Sequence, residues 1–469
     1  MARARDLAAH YRAATPGLTP KWFLRENVSP GWAQAPTIFL EDHRVIDLVT
    51  EAASKRFEYR SLGLAADGDI YLVSAPRDRS FETYMSDRAG LGRPDVLAVS
   101  GSKNNDAAKS LALAKRCLAD ANILGELVGR AKLAGSINLS PFQSSGDVWL
   151  LAREIARRSS VRVRIVGPPP KLCRLANNKL WFAELVSQLL GRTHLPQTYS
   201  AYNLTGAAVR IRMLSRRSEK IVVKTPSSAG SLGNIVFETS GSDNRSLRAL
   251  RETLSDQLQL SGWLNDFPLL VSVWDREVLS SPSAQMWVPL PEEGAPILEG
   301  VFSQHVTGAR GGFVGGAPTQ LPAAVAGKFE REALLLGLTL QHMGYFGRLS
   351  LDSVLLQSDD GAYIIHWIEA NARWGGVSIP LTIAQRINPN AYDEGLFIVQ
   401  RMHEPAPRKS IDKIIQTAGV TSIDLCNGQT SGVIFLSPPE TGQIAFAVIG
   451  EEERRAQRTA AAVSAACQN

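Results

Sequence analysis

The first 170 residues alternate between short β-rich runs and longer stretches in which apolar residues recur with helical spacing. The runs that we predict to be strands are 68–76, 94–100, 137–142 and 161–167. The stretches that we predict to be helices are 107–130 and 146–158. Strands that alternate with helices form a mostly parallel sheet, so this part of the chain is predicted to be an α/β domain. The sequence GPPP at 167–170 marks its end.

After Lys171 the strands follow one another with fewer helices between them. The predicted helices are 177–191 and 326–344. The predicted strands are 207–214, 219–225, 268–275, 284–290, 297–306, 346–357 and 361–373. The turn sequence SDDG joins the last two strands, which predicts a hairpin. Beyond Pro405 the pattern predicts strands at 431–437 and 442–450 and an Ala-rich C-terminal helix.

Composition narrows the class of protein without identifying it. The chain has 469 residues with 44% hydrophobic and 20% charged residues, which is typical of a soluble globular protein of two or three domains. The formal charge of +6 is small for this length and is dispersed, so nucleic acid is not an expected partner. There is no apolar run of roughly 20 residues and no apolar N-terminal core, so we expect a cytoplasmic protein without a membrane partner. Four cysteines far apart in sequence indicate neither a zinc site nor a disulfide framework.

The predicted hairpin carries candidate metal ligands. Glu369, Asn371 and Arg373 occupy alternate positions of one strand, so they share a face, and Asp352 on the partner strand can lie close to them. Carboxylate and amide oxygens suit Mg²⁺, which completes its coordination with water and phosphate oxygens. An arginine beside them can bind phosphate through two hydrogen bonds. A solvated surface hairpin is the alternative, and the apolar neighbours of these residues argue against it.

A loop of small residues is the candidate phosphate cradle. A β-branched strand ends at Lys224, and Ser227, Ser228, Gly230 and Ser231 follow it. Small residues allow backbone N–H groups to approach phosphate oxygens, and lysine adds a positive charge. The segment is not a Walker sequence, because the lysine precedes the glycines. Taken alone, it is equally consistent with a simple linker.

Together these motifs resemble the ATP-grasp superfamily of carboxylate–amine ligases. The similarity rests on Lys179 in NNKLWF, on Lys224 before SSAGSLGN, and on LDS…EANARWGG, where the family usually has VDF…EINPRxGG. The fold that it implies is α/β, with α+β lobes in the ATP-grasp part. The implied domains are a preATP-grasp α/β domain at 1–170, a two-lobed ATP-grasp domain at 171–405 and a small C-terminal domain at 406–469.

The resemblance also implies roles for individual residues. Two Mg²⁺ ions would be held by Asp352, Glu369 and Asn371. The phosphates of ATP would contact Lys179 and Lys224, under a loop that contains Ser227, Ser228, Gly230 and Ser231. The adenine would lie against the hinge residues Val273, Trp274 and Asp275, although the usual glutamate pair is missing there and leaves the ribose ligand unassigned. Trp274 is equally consistent with a core position.

Three arginines are the implied catalytic cations. They are Arg310 in the glycine-rich segment 301–318, Arg348 in FGRLSLD and Arg373 in the hairpin. In the family, a basic residue in the segment of Arg310 contacts the γ-phosphate or an acyl phosphate, and an arginine near the position of Arg348 contacts the carboxylate or an acyl phosphate. Arg348 precedes the metal aspartate by four residues instead of the more usual two. An exposed arginine on a flexible loop is the alternative for Arg310.

Within the superfamily, the tail after Pro405 and the stretch SSPSAQMWVP are similar to peptide ligases of pheganomycin-type biosynthesis. This similarity implies an enzyme that joins an amino-acid carboxylate to a peptide amine through an acyl phosphate, releasing ADP and phosphate. The alternatives are another ATP-grasp ligase, such as a dipeptide ligase, and a non-catalytic nucleotide-binding module. Biotin-dependent carboxylation is disfavoured, because the chain has no biotinyl AMKM segment. The sequence leaves open whether the protein is a homo-oligomer.

Overall fold

The computed structural model describes residues 2–18, 27–46, 48–49, 54–74, 76–100, 112–228, 233–239, 246–263, 265–308, 310–402, 409–439 and 443–468. Their strands form three sheets: a six-stranded parallel sheet, a four-stranded antiparallel sheet and an eight-stranded antiparallel sheet. Within the described ranges, no helix combines the length and the apolar character that crossing a bilayer requires.

The strands of each sheet are consecutive in sequence, although their order within the sheets differs. The first sheet, in the order β1-β6-β5-β2-β3-β4, contains β1 Val28–Pro30, β2 Thr37–Leu40, β3 Ile70–Ser74, β4 Asp95–Val99, β5 Ser136–Pro141 and β6 Arg162–Ile165. The second, β7-β10-β8-β9, contains β7 Thr198–Ala201, β8 Lys220–Lys224, β9 Asn234–Glu238 and β10 Leu269–Val273. The third, β15-β14-β11-β12-β13-β16-β18-β17, contains β11 Pro282–Val288, β12 Ile297–Thr307, β13 Gly312–Pro318, β14 Gly347–Gln357, β15 Tyr363–Asn371, β16 Leu396–Met402, β17 Gly432–Phe435 and β18 Gln443–Ile449.

Helices cover the sheets and connect their strands. They are α1 Ala2–Ala14, α2 Arg79–Thr83, α3 Leu113–Ala119, α4 Ala121–Ala134, α5 Gly146–Ser159, α6 Pro170–Ala176, α7 Lys179–Leu189, α8 Leu204–Leu214, α9 Leu247–Leu260, α10 Ala323–His342, α11 Ser378–Ile387, α12 Ala391–Glu394, α13 Ile411–Ala418 and α14 Glu453–Gln468. A π-helical turn spans Tyr84–Arg88, and 3₁₀ turns span His43–Val45, Leu62–Leu64, Arg192–His194 and Leu425–Asn427.

Two sequence predictions need correction. Residues 207–214, predicted as a strand, belong to helix α8, because the Asn203 side chain caps it by accepting a hydrogen bond of 2.7 Å from the Gly206 N–H. The single helix predicted at 107–130 is two helices where it is described. Its break falls at Asp120, whose side chain accepts hydrogen bonds from two N–H groups of α4. Residues 107–111 lie outside the described ranges.

The third sheet joins distant parts of the chain. Helix α1 packs with α7 and α10 on one face of this sheet. There the rings of Tyr11 and Trp181 are in an edge-to-face arrangement, with their centroids 5.1 Å apart. Strands β16, β17 and β18 extend the sheet that β11 to β15 begin, so strands from both sides of residue 405 hydrogen-bond within one sheet. The domain limits at residues 170 and 405 stay predictions.

Candidate active site

The hairpin β14–β15 brings together the three predicted metal ligands. Asp352 is paired directly with Glu369, next to a β-bulge, and Ser350 is paired with Asn371. The Asn371 amide donates a 2.8 Å hydrogen bond to Asp352 Oδ2, and the Ser283 hydroxyl donates one of 2.6 Å to Oδ1. The oxygens of two carboxylates and one amide therefore lie side by side on the sheet.

The two carboxylates of this cluster have opposite pKa shifts. Burial raises the pKa of Asp352 to about 6, and the neighbouring Glu369 charge acts in the same direction. Burial also opposes ionisation of Glu369, but the positive charges of Lys179, Arg373 and Lys224 hold its pKa below the ordinary value. Two negative groups this close favour a compensating cation.

Both predicted phosphate lysines converge on Glu369. Lys179 begins helix α7, its Nζ lies 2.9 Å from Glu369 Oε2, and it also donates to the carbonyl of Ser228. Lys224 ends strand β8. Burial lowers the pKa of Lys224, a shift that Lys179 increases and that Glu369 and Asp275 oppose. Glu369 therefore contacts the ammonium group of Lys179 and lies in the electrostatic field of Lys224.

The predicted phosphate loop is only partly described. Ser227 and Ser228 line a small pocket together with Lys179, whereas Gly230 and Ser231 lie outside the described residues. A Cβ at Gly233, where the chain is described again, would overlap the side chains of Thr225 and Ser228. Glycine at this position lets the two ends of the loop pack against each other.

The three predicted catalytic arginines have different environments. Arg373 donates to the Asn177 side-chain oxygen and lies beside the three predicted metal ligands. Arg348 is paired with Glu299, donates a 3.0 Å hydrogen bond to Thr382 and lies between two tryptophan rings, 5.2 and 5.0 Å from their centroids. Arg310 is exposed in the turn between β12 and β13. Of these arginines, Arg373 is the one that the structure brings to the cluster.

The predicted adenine hinge already uses its backbone donors within the protein. The Val273 N–H donates to the carbonyl of Gln197, and the Trp274 N–H donates to the carbonyl of Lys220, both at 3.0 Å. A backbone contact to a base at these two residues would have to use their carbonyl oxygens. The Asp275 carboxylate lies 2.8 Å from Nδ1 of His366 on β15, a pairing that sequence reasoning missed.

Two adjoining cavities meet at the cluster. The small pocket has a volume of about 270 Å³. The large cavity, of about 790 Å³, lies between the third sheet and the part of the chain that carries the first sheet, which corresponds to the predicted first domain. Both are lined by Glu369, Asn371 and Arg373. The large cavity also has polar walls that were not predicted, formed by Ser283, Gln285, Gln304, Ser350, His43 and Arg60.

One sequence signal for these walls was present in β11. Ser283 and Gln285 alternate with apolar residues in the run PSAQMWV, and they are only 0% and 2% exposed. Polar side chains at alternate positions of a buried strand indicate a polar cavity. His43 and Arg60 carry no comparable signal, because they come from loops and turns of the first domain.

Comparisons with known proteins agree with this architecture. Residues 58–156 match the family model described as the Pre ATP-grasp domain. A comparison with curated protein sequences finds no match.

Solved structures share the fold over nearly the whole chain at low sequence identity. The biotin carboxylase–β,γ-ATP complex from Campylobacter jejuni is 10% identical, with a TM-score of 0.54 over 90% of this chain and 89% of that one. The N5-carboxyaminoimidazole ribonucleotide synthetase from Thermus thermophilus is 12% identical, with a TM-score of 0.51 over 92% and 97%. The N5-carboxyaminoimidazole synthase from Aspergillus clavatus, solved with ADP and 5-aminoimidazole ribonucleotide, is 12% identical, with a TM-score of 0.51 over 93% and 99%. The predicted fold class is confirmed: the chain contains a match to the Pre ATP-grasp domain and shares its fold with these solved enzymes.

Proposed function

We propose that the protein is an ATP-dependent carboxylate–amine ligase. The observation that carries the proposal is the convergence of Lys179, Lys224 and Arg373 on the paired carboxylates Asp352 and Glu369. Three cations against two anions leave the cluster with an excess of positive charge, as a polyphosphate requires. The fold shared with enzymes that were solved with a nucleotide supports the same reading.

The donor set fits Mg²⁺. Asp352, Glu369 and Asn371 offer hard oxygen ligands at one place, where burial and the charge of Glu369 both raise the pKa of Asp352. When bound there, Mg²⁺ would neutralise charge on the phosphate oxygens. We propose that all three residues are ligands and that two ions bind, as the resemblance to ATP-grasp enzymes implies.

The side chains of the site then have separate roles in phosphoryl transfer. Lys179 and Lys224 hold the inner phosphates, which leaves the γ-phosphate towards Arg373 at the junction of the two cavities. A substrate carboxylate attacks the γ-phosphorus, its new bond replaces the bond to ADP, and an acyl phosphate forms. An amine in the large cavity displaces phosphate and forms the amide. Phosphoryl transfer needs positioning and charge stabilisation, which these residues supply without a protein nucleophile.

We propose in addition that the amine belongs to a peptide and that the carboxylate belongs to an amino acid. A cavity of about 790 Å³ is larger than one amino acid requires. Its polar floor offers hydrogen-bond partners for a peptide backbone, including Gln285 and Gln304.

Product analysis tests the reaction. The protein is mixed with ATP, Mg²⁺ and a panel of amino acids, with hydroxylamine in place of the amine. We expect ADP and phosphate in equal amounts, together with an amino-acid hydroxamate that traps the acyl phosphate. A reaction without the amino acid is the control and should release little ADP. Formation of AMP and pyrophosphate would overturn the mechanism, and nucleotide binding without turnover on any carboxylate would favour a non-catalytic module.

A further inference from the structure

The small pocket has a second wall that the proposed nucleotide and metal residues do not form. One wall carries Lys179, Ser228 and Glu369. The opposite wall comes from the first domain and contains Arg44 and Gly146, the first residue of helix α5. The proposed nucleotide and metal site gives a role to the residues of the first wall and none to those of the second wall.

Arg44 is a buried cation with unused donors. Its side chain is only 5% exposed, and its Nε donates a 2.7 Å hydrogen bond to Asp42. Its Nη2 lies 3.6 Å from Glu58 Oε1, which is beyond hydrogen-bond distance. Neither Nη1 nor Nη2 has a hydrogen-bond partner in the part of the chain that the structure describes. Because buried guanidinium N–H groups are normally paired, these two nitrogens indicate an acceptor supplied by a ligand.

Helix α5 points its positive end into the same pocket. The helix has 14 residues, and the Ser145 side chain accepts the N–H of Val148. The Gly146 N–H has no partner among the described residues and, as a first-turn donor, cannot have one inside the helix. A helix N-terminus with free N–H groups favours an anion.

The other charged side chains that line the pocket also favour an anion. Arg174 and Arg373 line it in addition to Arg44 and Lys179, whereas Asp147 and Glu369 are its carboxylates. Glu369 is already paired with Lys179. Asp147 stands at the start of α5, where its charge is offset by the helix dipole.

We propose that Arg44 and the first turn of α5 form an oxyanion subsite for the non-nucleotide substrate. Its ligand is a carboxylate or phosphate group other than the ATP triphosphate and other than the reacting carboxylate. The subsite rests on the proposed function, because the opposite wall is the proposed phosphate site. A substrate whose reacting carboxylate lies at Arg373 would place its second anionic group here, since Arg373 borders both cavities. The subsite therefore selects a carboxylate substrate with a second acidic group.

Calorimetry with inorganic phosphate and, separately, with succinate tests the subsite. Each anion is titrated into the full-length protein, first alone and then with Mg²⁺ and a nonhydrolysable ATP analogue that fills the triphosphate site. We expect at least one anion to bind while the analogue is bound, and the tighter of the two identifies the source of the oxyanion. Loss of anion binding on adding the analogue would overturn the proposal, because the pocket would then belong to the triphosphate. An adventitious site is excluded by the variants below.

Three variants make the test specific. Arg44→Gln should weaken anion binding about tenfold or more and leave affinity for the analogue unchanged. Gly146→Pro removes one N–H while keeping the helix start, because proline is favoured at this position and Ser145 is extended, and it should weaken binding about threefold. Gly146→Ala keeps the N–H in open space and is the matched control. If Arg44→Gln does not fold, the comparison of Gly146→Pro with Gly146→Ala tests the proposal by itself.

The outcomes separate the two proposals. Equal anion affinity in wild type, Arg44→Gln and Gly146→Pro overturns the subsite whatever the enzyme does with ATP. Failure of the analogue to bind the wild-type protein overturns the proposed function, and the titrations without analogue still test the subsite.

Discussion

Glu369 is the residue on which the charges of the candidate site converge. It pairs with Lys179, its pKa is lowered further by Arg373 and Lys224, and it faces Asp352 across the hairpin. Glu369→Gln keeps the shape and removes the charge. We expect turnover to fall roughly 10²–10³-fold, since an electrostatic contact at the reacting phosphate is lost. Phosphate release and circular dichroism are measured together.

The matched control for this variant is Asp359→Asn, which removes an exposed carboxylate at the turn of the same hairpin. It should leave turnover at the wild-type level. A folded Glu369→Gln protein with wild-type turnover would contradict the metal assignment.

Burial of the charged Lys224 side chain in the candidate site is expected to destabilise the folded protein. Its buried ammonium has a lowered pKa because burial disfavours the charge. Lys224→Met should therefore leave the melting temperature equal to or above that of the wild type while it weakens binding of an ATP analogue about tenfold or more. Lys220→Met, at the exposed end of the same strand, is the control and should not change nucleotide affinity. Unchanged affinity in Lys224→Met would rule out the phosphate role.

His43 predicts a pH dependence of stability. It lies between the rings of Phe57 and Phe142, with centroids at 4.4 and 3.9 Å, and burial lowers its pKa from 6.5 to about 4. Arg60 and Arg373 also lower it, whereas Glu41 opposes them. Between the two pKa values only the unfolded state takes up the proton, so folding is destabilised as the pH falls.

The expected loss of unfolding free energy from this histidine between pH 7 and pH 5 is about 2 kcal/mol. His43→Phe keeps the stacked ring and should flatten this part of the pH profile, measured by urea unfolding at each pH. His10→Gln, at an exposed position, should keep the wild-type slope. A His43→Phe protein with the wild-type slope would show that other groups cause the effect.

At the scale of elements, the sequence predicted those whose periodicity was unambiguous. The hairpin β14–β15 and helix α10 were predicted because strict patterns cover them. Residues 207–214 were misread, because AAVRIRML contains both an alternating run and the helical set that is buried in α8. Strand β13 was not predicted, because glycine disfavours strands. There Gly315 has a positive φ of 145°, and a Cβ would overlap the carbonyl of Ile398 in the neighbouring strand.

The contacts of the candidate site likewise divide into those that the sequence pattern predicts and those that it does not. The pairing of Asp352 with Glu369 was predictable from the short turn between their strands. Ser283 and Gln304 reach Asp352 only through the order of strands in the third sheet, which local patterns do not determine. The contact of His366 on β15 with Asp275, which follows the end of β10, likewise joins segments that are far apart in sequence.

The cap of helix α8 gives a prediction at this scale. The Asn203 side chain accepts a hydrogen bond from the Gly206 N–H and so selects the helix over the strand. Asn203→Ala should lower the free energy of unfolding by about 1 kcal/mol, as measured by urea denaturation. Thr205→Ala, at an exposed position in the first turn of the same helix, should change stability by less. Equal losses in the two variants would contradict the capping role.

At the scale of the whole molecule, the first domain is fixed against the third sheet by buried polar contacts. Arg60 donates a 2.8 Å hydrogen bond to Gln400 on β16 while it is paired with Glu41. Arg386 on α11 donates to the carbonyl oxygens of Gly63, within the 3₁₀ turn Leu62–Leu64, and of Ala65 and Leu91. These contacts hold the two walls of the large cavity together. The contacts therefore fix the dimensions of the cavity, and these dimensions can limit the size of the acceptor.

The size of this cavity predicts how activity depends on acceptor length. Gly311, in the turn after β12, and Gly312, Phe313 and Val314, at the start of β13, form part of its wall. The volume of about 790 Å³ suits a ligand of several residues. We expect kcat/KM to rise from single amino acids to dipeptides and not to fall for tripeptides. Val314→Phe, which narrows the wall, should reduce kcat/KM for tripeptides more than for dipeptides, and Val209→Phe, on the exposed face of α8, is the control. Acceptance of free amino acids alone would instead identify a dipeptide ligase, because the additional volume would then have no role in recognising the amine.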